Sequence, residues 1–336
     1  FPLWFSEGMA EVQSLYGLDE ATDMFMRDAS INTYVPPLDY LNGFFAYRGG
    51  QSFFAFLTDT YGEEKLGILM NNIKTFGDVD QGFEETFKFT LTQLDEKWQS
   101  YLKKMYWPDI KFREDVKDFS KQLTFHEKNG GSYNVSPVVS PNGSLFAYIS
   151  NRDDFFDVYI AKTKNGEIVK KLIEGNNNSD FEELHILTPG LSWSPDGSKI
   201  AISVKAGDKD AIFLIDVYSE DRIQLPLKFN AINYVSWSPS GNKLAFIGDK
   251  GNRSNLYTYD LKTKNLEALT DDVFSDANPT WSWDGKKVFF TSDRGNYLNS
   301  DSIPKNLKMW NYDYSNTDYY SIDLNTKLMT RMSDTK

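Results

Sequence analysis

Four segments of this chain repeat one short pattern in register: "VVSPNGSLFAYIS" at Val138, "LSWSPDGSKIAIS" at Leu191, "VSWSPSGNKLAFI" at Val235 and "PTWSWDGKKVFFTS" at Pro279. Their turn serines stand at 140, 194, 238 and 282, spaced by 54, 44 and 44 residues. A second strand-like stretch follows each turn, at Asp157, Ala211, Asn255 and Asp318, and in the first three repeats it begins 17 residues after the serine. The Ser-Pro-x-Gly turn uses proline's fixed φ and a glycine that tolerates positive φ, so it joins two antiparallel strands. A period of about 44 residues holds four short strands and their turns, the size of one propeller blade. Such a blade cannot bury both faces alone, so it needs neighbours of its own kind. The alternative is an ordinary antiparallel sandwich with coincidental turns.

Before the repeats the period is helical. Leu94, Trp98, Tyr101, Leu102 and Met105 form one stripe, and Thr92 with Asp95 offers a capping-box-like start. The same reading predicts helices over Gly50–Thr60, Glu63–Phe76 and Asp80–Phe89, with Gly62 and Gly77 as breaks. Trp107-Pro108 ends the helical part, because proline disfavours helix at the preceding residue. The expected organisation is therefore a helical domain over 1–108, a charged linker over 109–120, and β-propeller blades over 121–336.

Charge and composition remove several function classes. With 36 Lys and Arg against 48 Asp and Glu, the formal net charge of -12 argues against nucleic acid or an anionic membrane as the main partner. No apolar run approaches the roughly 18 to 20 residues of a membrane-spanning helix. The absence of cysteine removes thiolate chemistry, cysteine zinc sites and disulfides. No signal-peptide pattern is visible at the start, as a mature or truncated chain would also show.

The pattern "P-x-W-S-P-D-G-x-K-I-A-I", followed by a Leu-Tyr or Val-Tyr strand and a Leu269-Thr270 type of ending, resembles the TolB-type β-propeller repeat over about residues 121–336. Trp283 replaces the turn proline in the fourth repeat. The resemblance implies a propeller, usually of six blades, that serves as an interaction platform or as the partner of a peptidase domain in an extracytoplasmic (periplasmic or cell-surface) setting. The fold alone does not determine which.

The opening "P-L-W-F-S-E-G-M-A-E", with "Y-R-G-G-Q-S-F" at Tyr47 and "Y-G-E-E-K-L" at Tyr61, resembles the segment after the zinc-binding helix of gluzincin metallopeptidases (peptidase MA-like). The resemblance implies that Glu7 matches the downstream zinc ligand, with Glu11 one helical turn behind it. The H-E-x-x-H helix that supplies the other ligands and the general base is not in this sequence. Only His126 and His185 are present, and "F-H-E-K-N" at Phe125 lacks a second histidine because position 130 is glycine. Hydrolytic zinc needs about three protein ligands and an open position. His126 reads as a strand-end residue, Glu7 as a vestigial ligand or an acid near a helix N-terminus, and the chain as the non-catalytic remainder of a longer protein. No zinc is expected in this chain, although a parent carrying H-E-x-x-H upstream would hold it.

No Gly-x-Ser-x-Gly elbow and no Gly-Lys-Ser/Thr phosphate loop occurs. Acidic turns recur at Asn151, Gly207, Gly248 and Ser292. They can be read as oxygen ligands for calcium or as ordinary polar turn chemistry. "K-Q-L-T-F-H" at Lys121 resembles an outer strand and is expected to complete a last blade, so that the parent has more than four blades. In the fourth repeat the second strand begins 36 residues after the serine instead of 17, leaving an insertion within Gly295–Thr317. It carries Tyr297, Trp310, Tyr312 and Tyr314 among small polar residues. The insertion is read as part of a face that binds a protein, peptide or glycan, with Trp310 as anchor, or else as aromatics packing a long loop onto its own blade.

Overall fold

The computed structural model describes residues 1–336 except 177–179, 189, 252, 314, 315, 335 and 336. It divides into two compact units, Phe1–Lys121 and Gln122–Lys336.

The first unit is helical: α1 (Leu3–Leu15), α2 (Glu20–Ile31), α3 (Phe44–Tyr61), α4 (Glu64–Phe76), α5 (Val79–Phe87), α6 (Leu91–Tyr106) and a short α7 (Val116–Phe119). Its core is aromatic, with Trp4, Phe5, Phe53, Phe54, Phe83 and Trp98 all buried. α1 crosses α3 at two glycines. A β-carbon on Gly8 would lie 2.3 Å from the Gly50 carbonyl carbon, so only backbone fits there. Gly50 is thus an interior residue of α3, which begins at Phe44 instead of at Gly50 as the pattern predicts. The glycines are a contact surface.

The cap of the last long helix differs from the expected one. α6 is capped by Thr90, whose Oγ1 accepts the Gln93 N–H while the Gln93 side chain accepts the Thr90 N–H, and not by Thr92 with Asp95. After Tyr106 the chain continues as a 3-10 turn over Trp107–Lys111. That turn is packed onto α2: Trp107 Nε1 donates to Ser30 O at 3.1 Å, and Asp109 pairs with Arg27.

The second unit opens with α8 (His126–Asn129) and continues as four antiparallel sheets among the described residues. The first holds β1 (Asn134–Val139), β2 (Leu145–Asp153), β3 (Phe155–Lys162) and β4 (Ile168–Ile173). The second holds β5 (Glu183–Leu184), β6 (Leu191–Trp193), β7 (Lys199–Ala206), β8 (Lys209–Asp216) and β9 (Arg222–Gln224). Both β5 and β6 pair with β7, so they are two pieces of one inner strand. The third holds β10 (Ala231–Trp237), β11 (Lys243–Asp249), β12 (Ser254–Asp260) and β13 (Leu266–Ala268). The fourth holds β14 (Asp276–Trp281), β15 (Lys287–Ser292), β16 (Asp318–Asp323) and β17 (Met329–Arg331). The expected class, helices followed by four-stranded blades, is the one observed.

The repeat's turn chemistry is visible residue by residue. Gly143, Gly197, Gly241 and Gly285 have φ of 72°, 72°, 78° and 68°. The serine opening each turn accepts the N–H five residues on, at 3.0, 2.9, 3.0 and 2.9 Å. Successive sheets meet face to face, and the turns register with them. The site of a β-carbon on Gly197 would lie 3.7 Å from Pro141, that on Gly241 3.7 Å from Pro195, and that on Gly285 3.9 Å from Pro239. Trp193 Nε1 donates to Val138 O and Trp281 Nε1 to Ser236 O, each in the preceding sheet.

Two expectations for the start of this unit are also revised. His126 is not at a strand end but opens α8, with Nδ1 3.3 Å from Asn134 Nδ2. The segment at Lys121 forms no strand. Leu123 instead packs on Phe146, Tyr148, Tyr159 and Ala161 of the first sheet.

Candidate partner-binding site

β15 and β16 pair from Lys287 with Asp323 to Ser292 with Asp318, so the chain leaves the sheet after Ser292 and rejoins it at Asp318, at the end opposite the Ser-x-x-Gly turn. The base of this excursion is held by buried charge. Arg294 is 1% exposed; it donates to Asp272 Oδ2 at 2.7 Å, Asp276 Oδ1 at 2.5 Å and Ser292 Oγ at 3.0 Å. The rings of Phe274, Phe290 and Tyr320 surround the guanidinium. Asp276 also accepts from Thr270 Oγ1. Burial pushes the Asp276 carboxyl above its ordinary range and the Arg294 charge opposes that. A buried pair with its remaining lone pairs satisfied is the arrangement in which such charges are tolerated.

The excursion then turns back on itself. Tyr320 donates to Gly295 O at 2.7 Å and Tyr312 to Asp293 O at 3.0 Å. Gly295 has φ of 57°, and a β-carbon there would lie 2.9 Å from the Tyr312 hydroxyl. Tyr297 stacks on buried Phe274 at 5.5 Å with 11° between the rings. Arg331 links Asn296 to Asp318. Beyond this base the tip carries two 3-10 turns, Ser300–Ser302 and Met309–Asn311.

The aromatic residues singled out from the sequence thus divide. Tyr297 and Tyr312 pack the base of the insertion onto Phe274. Trp310 is 77% exposed on the tip, with Lys308 Nζ 5.2 Å from its ring centre. Tyr314 lies outside the described residues. Sequence reasoning missed Arg294, Phe274, Asp276 and Tyr320. The available signal was the arginine in "S-D-R-G-N", which invites a partner once it follows a strand otherwise read as buried.

The acidic turns are largely committed to the protein itself. Asp153 accepts from Lys171 and Tyr159, with Lys171 holding its carboxyl below the ordinary range. Asp293 accepts the Ser275 N–H at 2.8 Å, and Asp249 the Gly251 N–H at 2.7 Å. Among the described residues, no group of three or more His, Asp or Glu is disposed to hold a metal ion. Glu7 sits half-buried on α1, without a hydrogen bond or ion pair among the described residues. His185 Nε2 lies 3.0 Å from Asp210 Oδ2, which also accepts the Ile232 N–H at the start of the next sheet. No helix among the described residues is long and apolar enough to cross a membrane.

The family described as the TolB β-propeller domain (PD40) matches residues 175–298. Among solved structures, TolB from Acinetobacter baumannii is 20% identical, with 60% of this chain and 44% of that one covered and a TM-score of 0.45. A putative TolB from Agrobacterium tumefaciens gives 17%, 60%, 64% and 0.44. A Mycobacterium tuberculosis puromycin-hydrolysing peptidase gives 15%, 63%, 29% and 0.43. The chain therefore spans less than two thirds of the length of each. No curated protein matches it in sequence. The Ser-x-x-Gly turn, four-stranded sheets and family match together identify a TolB-type β-propeller domain in the second unit, matched over residues 175–298.

Proposed function

We propose that this chain is a protein- or peptide-binding propeller module joined to the non-catalytic remainder of a gluzincin-like peptidase domain. It acts in an extracytoplasmic setting and has no peptidase activity of its own. One observation carries the binding reading: the insertion is stapled at its base by Arg294, Tyr297 and Tyr312 while Trp310 stands exposed at its tip. A rigid base lets an exposed indole bury its area on a partner at little ordering cost. The test is capture of proteins by the immobilised chain from an extract of its source organism, comparing wild type with Trp310→Ala. Loss of the specifically captured species with unchanged thermal stability supports the reading. Unchanged capture removes it.

A second reading makes the chain part of an active zinc peptidase whose H-E-x-x-H segment lies upstream, with the propeller gating substrate. It is favoured by the half-buried, unpartnered Glu7 carboxylate on the face of α1. Elemental analysis bears on both. The chain by itself is expected to retain no stoichiometric zinc, and one tightly held zinc per chain would count against the inactive assignment.

A further inference from the structure

The turn from β11 to β12 carries a polar pocket of about 460 Å³, at the same end of its sheet as the insertion has on the next. Two cations line it, Lys250 and Arg253, against one acid, Asp271. In a chain with a formal net charge of -12 this local excess of positive charge is unusual. Lys250 is held in place, its Nζ 4.5 Å from the Phe229 ring centre and 5.1 Å from that of Tyr257. Arg253 is exposed and makes no hydrogen bond or ion pair among the described residues.

The lining beneath these cations is built from donors. Asn255 is 3% exposed; its Oδ1 accepts the Asp272 N–H and its amide also bonds the Tyr257 hydroxyl, so one amide N–H remains to offer a ligand. Tyr257 also lines the pocket, and burial pushes its hydroxyl up, keeping it a proton donor. Two lining cations face one lining acid, with Asp249 a second carboxylate close to Tyr257, and so small an excess of positive charge suits one carboxylate better than a phosphate dianion; a guanidinium fork pairs with a planar carboxylate through two parallel bonds.

We propose that this pocket binds a carboxylate of an acidic peptide, with Lys250 and Arg253 as its charged contacts and Asn255 and Tyr257 as neutral donors. The site shares no lining residue with the insertion on the fourth sheet, although Asp272 bonds to both Asn255 and Arg294, and it stands whether or not Trp310 contacts a partner.

The test uses a fluorescein-labelled peptide of alternating Glu and Gly, its Lys counterpart, and inorganic phosphate and acetate as competitors, read by fluorescence anisotropy with the whole chain. The Glu peptide is expected to bind, to lose about tenfold in affinity in Lys250→Ala/Arg253→Ala, and to weaken as salt is raised. Trp310→Ala should leave this binding unchanged. Both substituted cations are exposed, so a thermal melt matching wild type confirms that folding is intact. Absence of Glu-peptide binding, equal binding by the double variant, or displacement by phosphate more effectively than by acetate overturns the proposal.

Discussion

Gly50 on α3 lies so close to Trp4 on α1 that a β-carbon there would stand 2.3 Å from the Trp4 carbonyl oxygen. The obstacle is backbone, so it cannot rotate away. Gly50→Ala must separate the two helices and loosen the packing of Trp4, Phe53 and Phe54 beside the crossing. Overpacking of this kind costs about 1 to 3 kcal/mol. Chemical denaturation is expected to show a loss in that range. Gly67→Ala, where nothing stands within 4 Å of the added carbon, provides the control and should be neutral or stabilising.

Arg294 is the most consequential side chain at the base of the insertion. Arg294→Met leaves Asp272 and Asp276 without their cation, and Asp276 is 2% exposed. Removing one partner of a buried pair costs about 3 to 5 kcal/mol, and a cost of that order is expected in urea melts. Replacing Asp276 as well, in Arg294→Met/Asp276→Leu, should recover part of it. If the single variant is as stable as wild type, the buried network contributes nothing to holding the insertion.

Within the insertion, anchor and packing residues should separate experimentally. Trp310→Ala alters an exposed position and is expected to change stability by less than about 0.5 kcal/mol. Tyr312→Phe removes the hydrogen bond to Asp293 O and should cost about 0.5 to 1.5 kcal/mol. Limited proteolysis should then cut the loop faster in Tyr312→Phe than in Trp310→Ala. The reverse order would mean that Trp310 packs the loop.

Asp196 tests the turn chemistry through pH. Hydrogen bonds from the Ser194 hydroxyl and from the Ser198 N–H and hydroxyl lower its carboxyl to about 2. A lowered folded value adds stability that is complete above the unfolded value near 3.9 and is lost as pH falls towards about 2. Asn142 occupies the same place in the first sheet's turn and makes the same three bonds, so Asp196→Asn keeps the geometry and removes only the charge. The residue is exposed, so screening limits the loss to roughly 0.5 kcal/mol at neutral pH. The difference between wild type and variant should shrink as pH is lowered from about 4. A difference constant between neutrality and pH 3 would assign the effect to something other than this carboxylate.

The sequence by itself determined the helical first half, the β-rich second half, the period of the sheets and the turn that closes each first hairpin. These are carried by local rules: apolar spacing within a helix, and a glycine that accepts positive φ four residues into each turn. The helix ends were less legible, because Gly49 and Gly50 read as a boundary until Leu41 is seen against the first and α1 against the second. Tertiary structure alone decided the kink in the inner strands, where Ser136, Tyr234 and Asn278 share left-handed φ of 56°, 55° and 52° at one repeat position. Three unrelated side chains there give no common signal, since the backbone bulge is imposed by pairing with the next strand. The same holds for the candidate site. Tyr297, Tyr312 and Trp310 are equivalent aromatic residues on paper. Which of them pack and which one faces solvent depends on where Phe274 and Arg294 lie, and those come from another part of the chain and from a buried charge network that no local pattern encodes.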